Sequence, residues 1–184
     1  MADRGRQQPA GPARGQVAGR WREALDYALM WGIRHTPLPW PVKHWIIRLA
    51  TARTVVAGAA LIPDGEGRVL VLRTRYSGRW IPPGGIVHPG EDPLAGTRRE
   101  CREELGQEID VQRLVGLYSL TGTHELFVVF RCGPLAGPPR LGPEHEVFRY
   151  VPRPDLPWWL RAMADDAWND EVATPVVRTL LGST

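Results

Sequence analysis

Lysine is almost missing from this chain: Lys43 is the only one, and all other basic charge is arginine. With 23 basic against 20 acidic residues the formal net charge is +3, too small an excess to mark a protein that holds nucleic acid stably. Cysteine is nearly as scarce. Cys101 and Cys132 are the only two, and neither sits in a Cys-x-x-Cys or other metal-spaced set, which argues against a disulfide scaffold or a zinc site and makes a reducing cytoplasm the expected compartment. Long apolar runs are absent as well, so no segment reads as a bilayer span. The first twenty residues, "MADRGRQQPAGPARGQVAGR", lack the apolar stretch of a signal peptide, and their Gly and Pro oppose a transit-peptide helix. They are expected to form a disordered tail over residues 1–20.

What is present fits one domain with extensions, since 184 residues at 43% hydrophobic content can bury a substantial core. Residues 21–50 form a separate, Trp-rich region. "WREALDYALMWGIRH" and "KHWIIRLA" are apolar-patterned stretches on either side of "TPLPWP", whose prolines rule out one continuous helix. Trp21, Tyr27, Trp31, Trp40 and Trp45 suit a membrane interface or a partner protein. The expectation is an arm that packs onto the domain as additional core and can contribute to a homodimer interface, because exposed tryptophan is selected against in soluble chains.

From Thr54 the period changes to that of strands. "TVVAGAALI" and "RVLVLRT" flank the turn signal "PDGEG" and predict a hairpin. "IDVQRLVGLYSL", "HELFVVFRC" and "EVFRYV" predict three further strands, and "DEVATPVVRTLLG" a closing helix. Strands around a central helix with another helix at the end imply an α/β domain whose helices cover a mixed sheet.

The central helix is sharply bounded. Asp92 followed by Pro93 is an N-cap with proline at the first helical position, and Gly106 stands where a helix ends, so residues 93–105 are helical. Leu94, Thr97, Cys101 and Leu105 share one face, directed at the sheet. Glu100, Glu103 and Glu104 project together beside it. Like charges at these spacings cost a helix about 0.2–0.5 kcal/mol per pair. Arg99 can pair with Glu103, but the 100/103 and 100/104 pairs repel, so a solvated face explains only part of the pattern. A hard divalent cation, which takes carboxylate oxygens together with substrate phosphates, removes the conflict.

Gly85, Glu91, and then Arg99, Glu100, Cys101, Glu103, Glu104 and Gly106, at these spacings, resemble the loop-helix-loop signature of the Nudix hydrolases, and "WIPPGG" just upstream resembles the family's lead-in. Two apolar positions depart from the signature. Cys101 stands for an aliphatic residue, which is mild because cysteine behaves as a small hydrophobe, and Gln107 stands where an apolar residue normally closes the box, a contact that Ile109 can supply.

The resemblance implies a Nudix-type α/β/α sandwich over residues 53–181 and hydrolysis of a diphosphate linkage in a nucleoside diphosphate derivative, with Mg²⁺ or Mn²⁺ as cofactor. It implies Glu103 and Glu104 as metal ligands, Glu100 as ligand or general base, Arg99 as orienter of the carboxylates, and Glu91 as a buttress. A later carboxylate, Glu146 in preference to Glu144, would complete the metal site. Gly84 and Gly85 permit tight backbone beside the site. Arg73 and Arg75 are placed to hold phosphate or to be a solvated strand end, and Trp80 to stack on a base or to lie buried under the turn. His88, His124 and His145 form no ligand set. Two other readings share the fold: a nucleotide sensor that does not cleave, against which every box carboxylate is retained, and a cysteine-dependent prenyl diphosphate isomerase, against which Cys101 faces the core.

Overall fold

A computed structural model describes residues 54–169 and 174–181, together with 28, 31, 32, 36, 37 and 39–43 of the N-terminal region. The chain divides into two compact units, Met1–Ala52 and Arg53–Thr184. In the first, residues 40–43 are helical and the Val42 and Lys43 N–H groups both donate to the Pro39 carbonyl. The tail over 1–20 and the packing expected of Trp21, Tyr27 and Trp45 lie outside the described residues.

The second unit carries eight strands, two α-helices and one 3-10 turn, Arg153–Asp155, among its described residues. Strands β1 (Val55–Leu61), β4 (Gly84–Ile86), β5 (Val111–Leu120), β6 (Glu125–Cys132) and β8 (Val176–Leu180) form a mixed sheet in the order β4-β1-β6-β5-β8. Strands β2 (Val69–Thr74), β3 (Trp80–Ile81) and β7 (His145–Val151) form a second, antiparallel sheet in the order β3-β2-β7. Helix α1 spans Pro93–Leu105 and helix α2 Trp158–Ala167.

Side-chain alternation explains the layering. From one face of the larger sheet Ala59, Leu61 and Val129 meet Leu160, Met163, Ala164 and Ala167 of α2, while Val69 and Val71 reach the same core from the smaller sheet. From the opposite face Ala60, Val128 and Phe130 meet Cys101 and Leu105 of α1, joined by Leu70 and Leu72. Strand β2 therefore feeds both cores by its period of two. In β5 the extra residue between Leu114 and Gly116 is a bulge, and it puts Val115 and Tyr118 into the same core although they are three apart.

The expected hairpin is corrected. Strands β1 and β2 belong to different sheets and touch through the isolated bridge Pro63↔Val69 and the Leu70 N–H bond to Ile62 O. Pro63 has no N–H to extend a ladder, and β1 instead pairs parallel with β6 and antiparallel with β4. Asp64 closes the turn by accepting from the Glu66 and Arg68 N–H groups at 2.9 Å each.

The closing helix is corrected too: Val176–Leu180 is a strand, parallel to β5, with Gly116 opposite Val176. Val176, Val177 and Thr179 are β-branched and favour that outcome. The second helix lies earlier in the chain. Its buried Leu160, Met163, Ala164 and Ala167 recur at helical spacing directly after Pro157.

Candidate active site

Helix α1 forms where its caps dictate. The Asp92 carboxylate accepts from the Leu94 and Ala95 N–H groups at 2.9 and 3.0 Å, and Gly106 ends the helix at φ 67°. Thr97, Cys101 and Leu105 are buried as the apolar stripe requires, but Glu104 is buried among them at 8% exposure. A carboxylate in that position needs partners. Its Oε2 accepts from the Gly84 N–H at 2.8 Å, and its Oε1 lies 3.4 Å from Nε2 of His145, itself 3% exposed. Burial pushes the Glu104 carboxyl up to about 8, and the negative charges of Glu100, Glu144 and Glu103 push the same way against the Gly84 hydrogen bond.

Arg99 organises the outer half of the site. Its Nε and Nη2 grip Glu91 Oε1 and Oε2 at 3.0 and 3.1 Å, a two-point fork. Nη1 reaches Glu100 Oε1 at 2.7 Å, and Nη2 donates also to the Ile86 carbonyl at 3.2 Å. Glu103 stands 3.7 Å from the same Nη1 with its side chain 61% exposed. The Arg99 hydrogen bonds, with the His88 N–H, hold Glu91 down to about 2. Backbone spacing is equally exacting. Gly84 has φ 135°, and a Cβ on Gly85 would lie 2.6 Å from the Glu100 carboxyl carbon.

Among the described residues no three acidic, imidazole or thiol side chains already converge on one point at ligating distance. The donor set nevertheless fits a hard cation: Glu100, Glu103 and Glu104 supply carboxylate oxygens from one helix, and the repulsion that raises Glu104 is of the kind a divalent charge relieves.

Beside the carboxylates, across Gly84 and Gly85, opens a cavity of about 680 Å³. Its floor is Ala57 and Ala59 of β1, and its aromatic lining comprises Tyr76, Trp80, Phe127 and Trp159.

The remaining sequence-derived candidates separate. Trp80 is half-buried, lines the cavity, and carries the Arg149 guanidinium 4.0 Å from its ring centroid. Arg73 is engaged by Glu146 at 3.1 Å and by the Gly78 carbonyl at 3.4 Å. Arg75 contributes its main-chain N–H to the Glu144 carbonyl at 2.9 Å, and its side chain is exposed. Glu144 is a later carboxylate whose charge acts on Glu104. Sequence spacing offers no ligand set containing His145, yet the fold seats it against Glu104. Phe127 and Trp159 are likewise unannounced, because their role depends on strand and helix meeting at the cavity. Gln107 does not close the helix by apolar packing. Its amide donates to the Gly137 and Pro138 carbonyls at 2.9 and 3.0 Å, while Ile109, 6% exposed, enters the core.

A glycine-rich turn thus faces a helix of clustered carboxylates that one arginine locks in place. The family model for the NUDIX domain matches residues 52–173, and the chain belongs to the Nudix family. A MutT-like protein of Streptomyces ambofaciens is 36% identical over 89 residues, 48% of this chain and 58% of that protein. Diphosphoinositol polyphosphate phosphohydrolase 2 of Rattus norvegicus is 42% identical over 50 residues, 27% of this chain and 28% of its own. The chain thus spans less than two thirds of the length of these curated relatives. The crystal structure of a MutT protein from Methanosarcina mazei Go1 superposes with a TM-score of 0.57 at 25% identity, covering 66% of this chain and 99% of that one. No helix among the described residues is long and apolar enough to cross a membrane.

Proposed function

We propose that the chain hydrolyses a diphosphate linkage in a nucleoside diphosphate derivative, with Mg²⁺ or Mn²⁺ as cofactor. The observation that carries the reading is Glu104: a buried carboxylate oriented by a backbone N–H and crowded by three further acidic residues. Glu103 and Glu104 would hold the cation, with Glu100 beside them and Glu144 as the later carboxylate. Glu146, the other later carboxylate, pairs with Arg73 at 3.1 Å. When bound, the cation neutralises diphosphate charge and acidifies the attacking water.

The protein's own groups do the rest. Arg99 anchors Glu100 through Oε1, leaving Oε2 to take a proton from water. Glu91 keeps Arg99 from rotating, and the Gly84 N–H fixes the plane of the Glu104 carboxylate. The cavity walled by aromatic side chains takes the nucleoside and excludes bulk solvent from its inner end.

The test is hydrolysis of a panel of nucleoside diphosphate derivatives with Mg²⁺, comparing wild type with Glu103→Gln and Glu104→Gln. Loss of turnover by orders of magnitude in both variants, with folding intact, is expected. Wild-type turnover in both would remove the catalytic assignment. A diphosphoinositol polyphosphate belongs in the panel, since a substrate without a base would redirect the assignment of the cavity. A sensor that binds without cleaving is distinguished by nucleotide binding with no turnover of any member.

A further inference from the structure

The cavity runs along one face of the larger sheet, from Gly84 and Gly85 on β4, over Ala57 and Ala59 on β1, to Phe127 and Glu125 on β6. Residues 57 and 59, 125 and 127 share that face by strand alternation, and Ala57 pairs with Phe127 while Val55 pairs with Glu125. Small side chains on β1 leave a slot, and large ones border it. Phe127 and Trp159 meet with ring centroids 6.2 Å apart and planes at 31°, forming one wall, and Trp80 is a further aromatic residue of the lining. From Gly85 to Glu125 the path crosses two strand spacings and three residues along β6, roughly 15 Å, on the scale of a nucleoside diphosphate laid along the sheet.

Glu125 stands at the end of this slot remote from the carboxylates of α1. It lines the cavity, and among the described residues its side chain makes no hydrogen bond or ion pair. An ionised carboxylate only accepts, and its two oxygens match a pair of adjacent donors. Of the common base edges, the guanine edge offers such a pair, the ring N1–H beside the exocyclic amino group. The adenine edge places a lone pair beside its amino group, and the uracil edge flanks one N–H with two carbonyl oxygens. Those lone pairs face the carboxylate unfavourably.

We propose that Glu125 is a specificity-determining residue that reads a guanine-type donor edge, with the ring seated against the Phe127–Trp159 wall. The inference rests on the proposed function for the direction in which the ligand lies, but base choice is measurable without hydrolysis. Base preference is set at Glu125, and chemistry at the far end of the cavity.

The experiment uses the full chain. Turnover of GDP-glucose and ADP-glucose with Mg²⁺ is compared for wild type, Glu125→Gln and Glu125→Ala, and binding of guanosine and adenosine without metal is followed by tryptophan fluorescence. The exposed position of Glu125 leaves both variants folded. Wild type is expected to favour guanine about tenfold in kcat/KM and to bind guanosine more tightly than adenosine. Glu125→Gln, which turns one acceptor into a donor, abolishes both preferences, and Glu125→Ala removes the guanine gain without improving adenine. Equal or reversed base preference in wild type, or an unchanged ratio in Glu125→Gln, overturns the proposal. Hydrolysis of neither sugar nucleotide counts against the proposed function, and the nucleoside titration then decides the role of Glu125.

Discussion

Replacing Glu104 by glutamine should make the metal-free protein more stable at alkaline pH, and the size of the gain follows from its surroundings. In the folded chain the Glu104 carboxyl titrates near 8, raised by burial and by its acidic neighbours, against an ordinary value of 4.5. Between those values the folded state keeps a proton that the unfolded state has released. Stability therefore falls as pH rises through this window and levels off above 8. At about 1.4 kcal/mol per pH unit the loss between pH 6.5 and 8 is about 2 kcal/mol, which for a domain of this size lowers the melting temperature by roughly 4–8 °C. His145 works in the opposite sense below 6.5, because burial lowers its pKa and the unfolded chain there binds the extra proton. The clean interval is thus pH 6.5 to 8. Thermal melting in EDTA should show wild type losing stability across it and Glu104→Gln holding level, since the amide oxygen still accepts from the Gly84 N–H. Mg²⁺ should restore wild type more at pH 8 than at pH 6.5. Parallel pH profiles for the two proteins would refute the reasoning.

Three further outcomes are expected. Arg99→Lys loses the two-point grip on Glu91 and the bond to Glu100, so kcat should fall at least tenfold while circular dichroism stays unchanged. Gly85→Ala drives a methyl group into the Glu100 carboxylate, and steady-state kinetics should show turnover reduced by a similar factor with a melting shift worth about 1–3 kcal/mol. Cys101 is fully buried and its thiol is pushed up by burial; Cys101→Val should retain activity and cost under about 1.5 kcal/mol by denaturant melting, whereas lost activity in a folded variant would restore a cysteine-dependent reaction.

Much of the helix was readable because its signals are local. Asp92, Pro93 and Gly106 mark its ends within a residue or so, and the stripe through Thr97, Cys101 and Leu105 marks its inner face. The same is true of β5, β6 and β7, each a β-rich run bounded by turns. Pairing was not readable for β1 and β2, because a turn signal between two strands does not say whether they continue as neighbours or part into different sheets. The stripe of α2 was present at Leu160, Met163, Ala164 and Ala167 but lay behind three prolines, at 152, 154 and 157, that draw the eye to loop. The box carboxylates sit on one helix, so their spacing announces them. His145, Gly142, Phe127 and Trp159 come from other elements, and only the tertiary fold brings them beside the box or into the cavity.

The end of α1 is clasped from outside. Arg140 and Gly142 donate their N–H groups to the carbonyls of Leu105 and Glu104 at 2.8 and 3.0 Å, from the segment that leads into β7 of the smaller sheet. The Glu104 side chain meanwhile holds β4 of the larger sheet through Gly84. One residue is thus fastened to both layers, its main chain to the segment before β7 and its side chain to β4, so shortening the Glu104 side chain would release the glycine turn of the larger sheet while the smaller sheet kept its hold on the end of the helix.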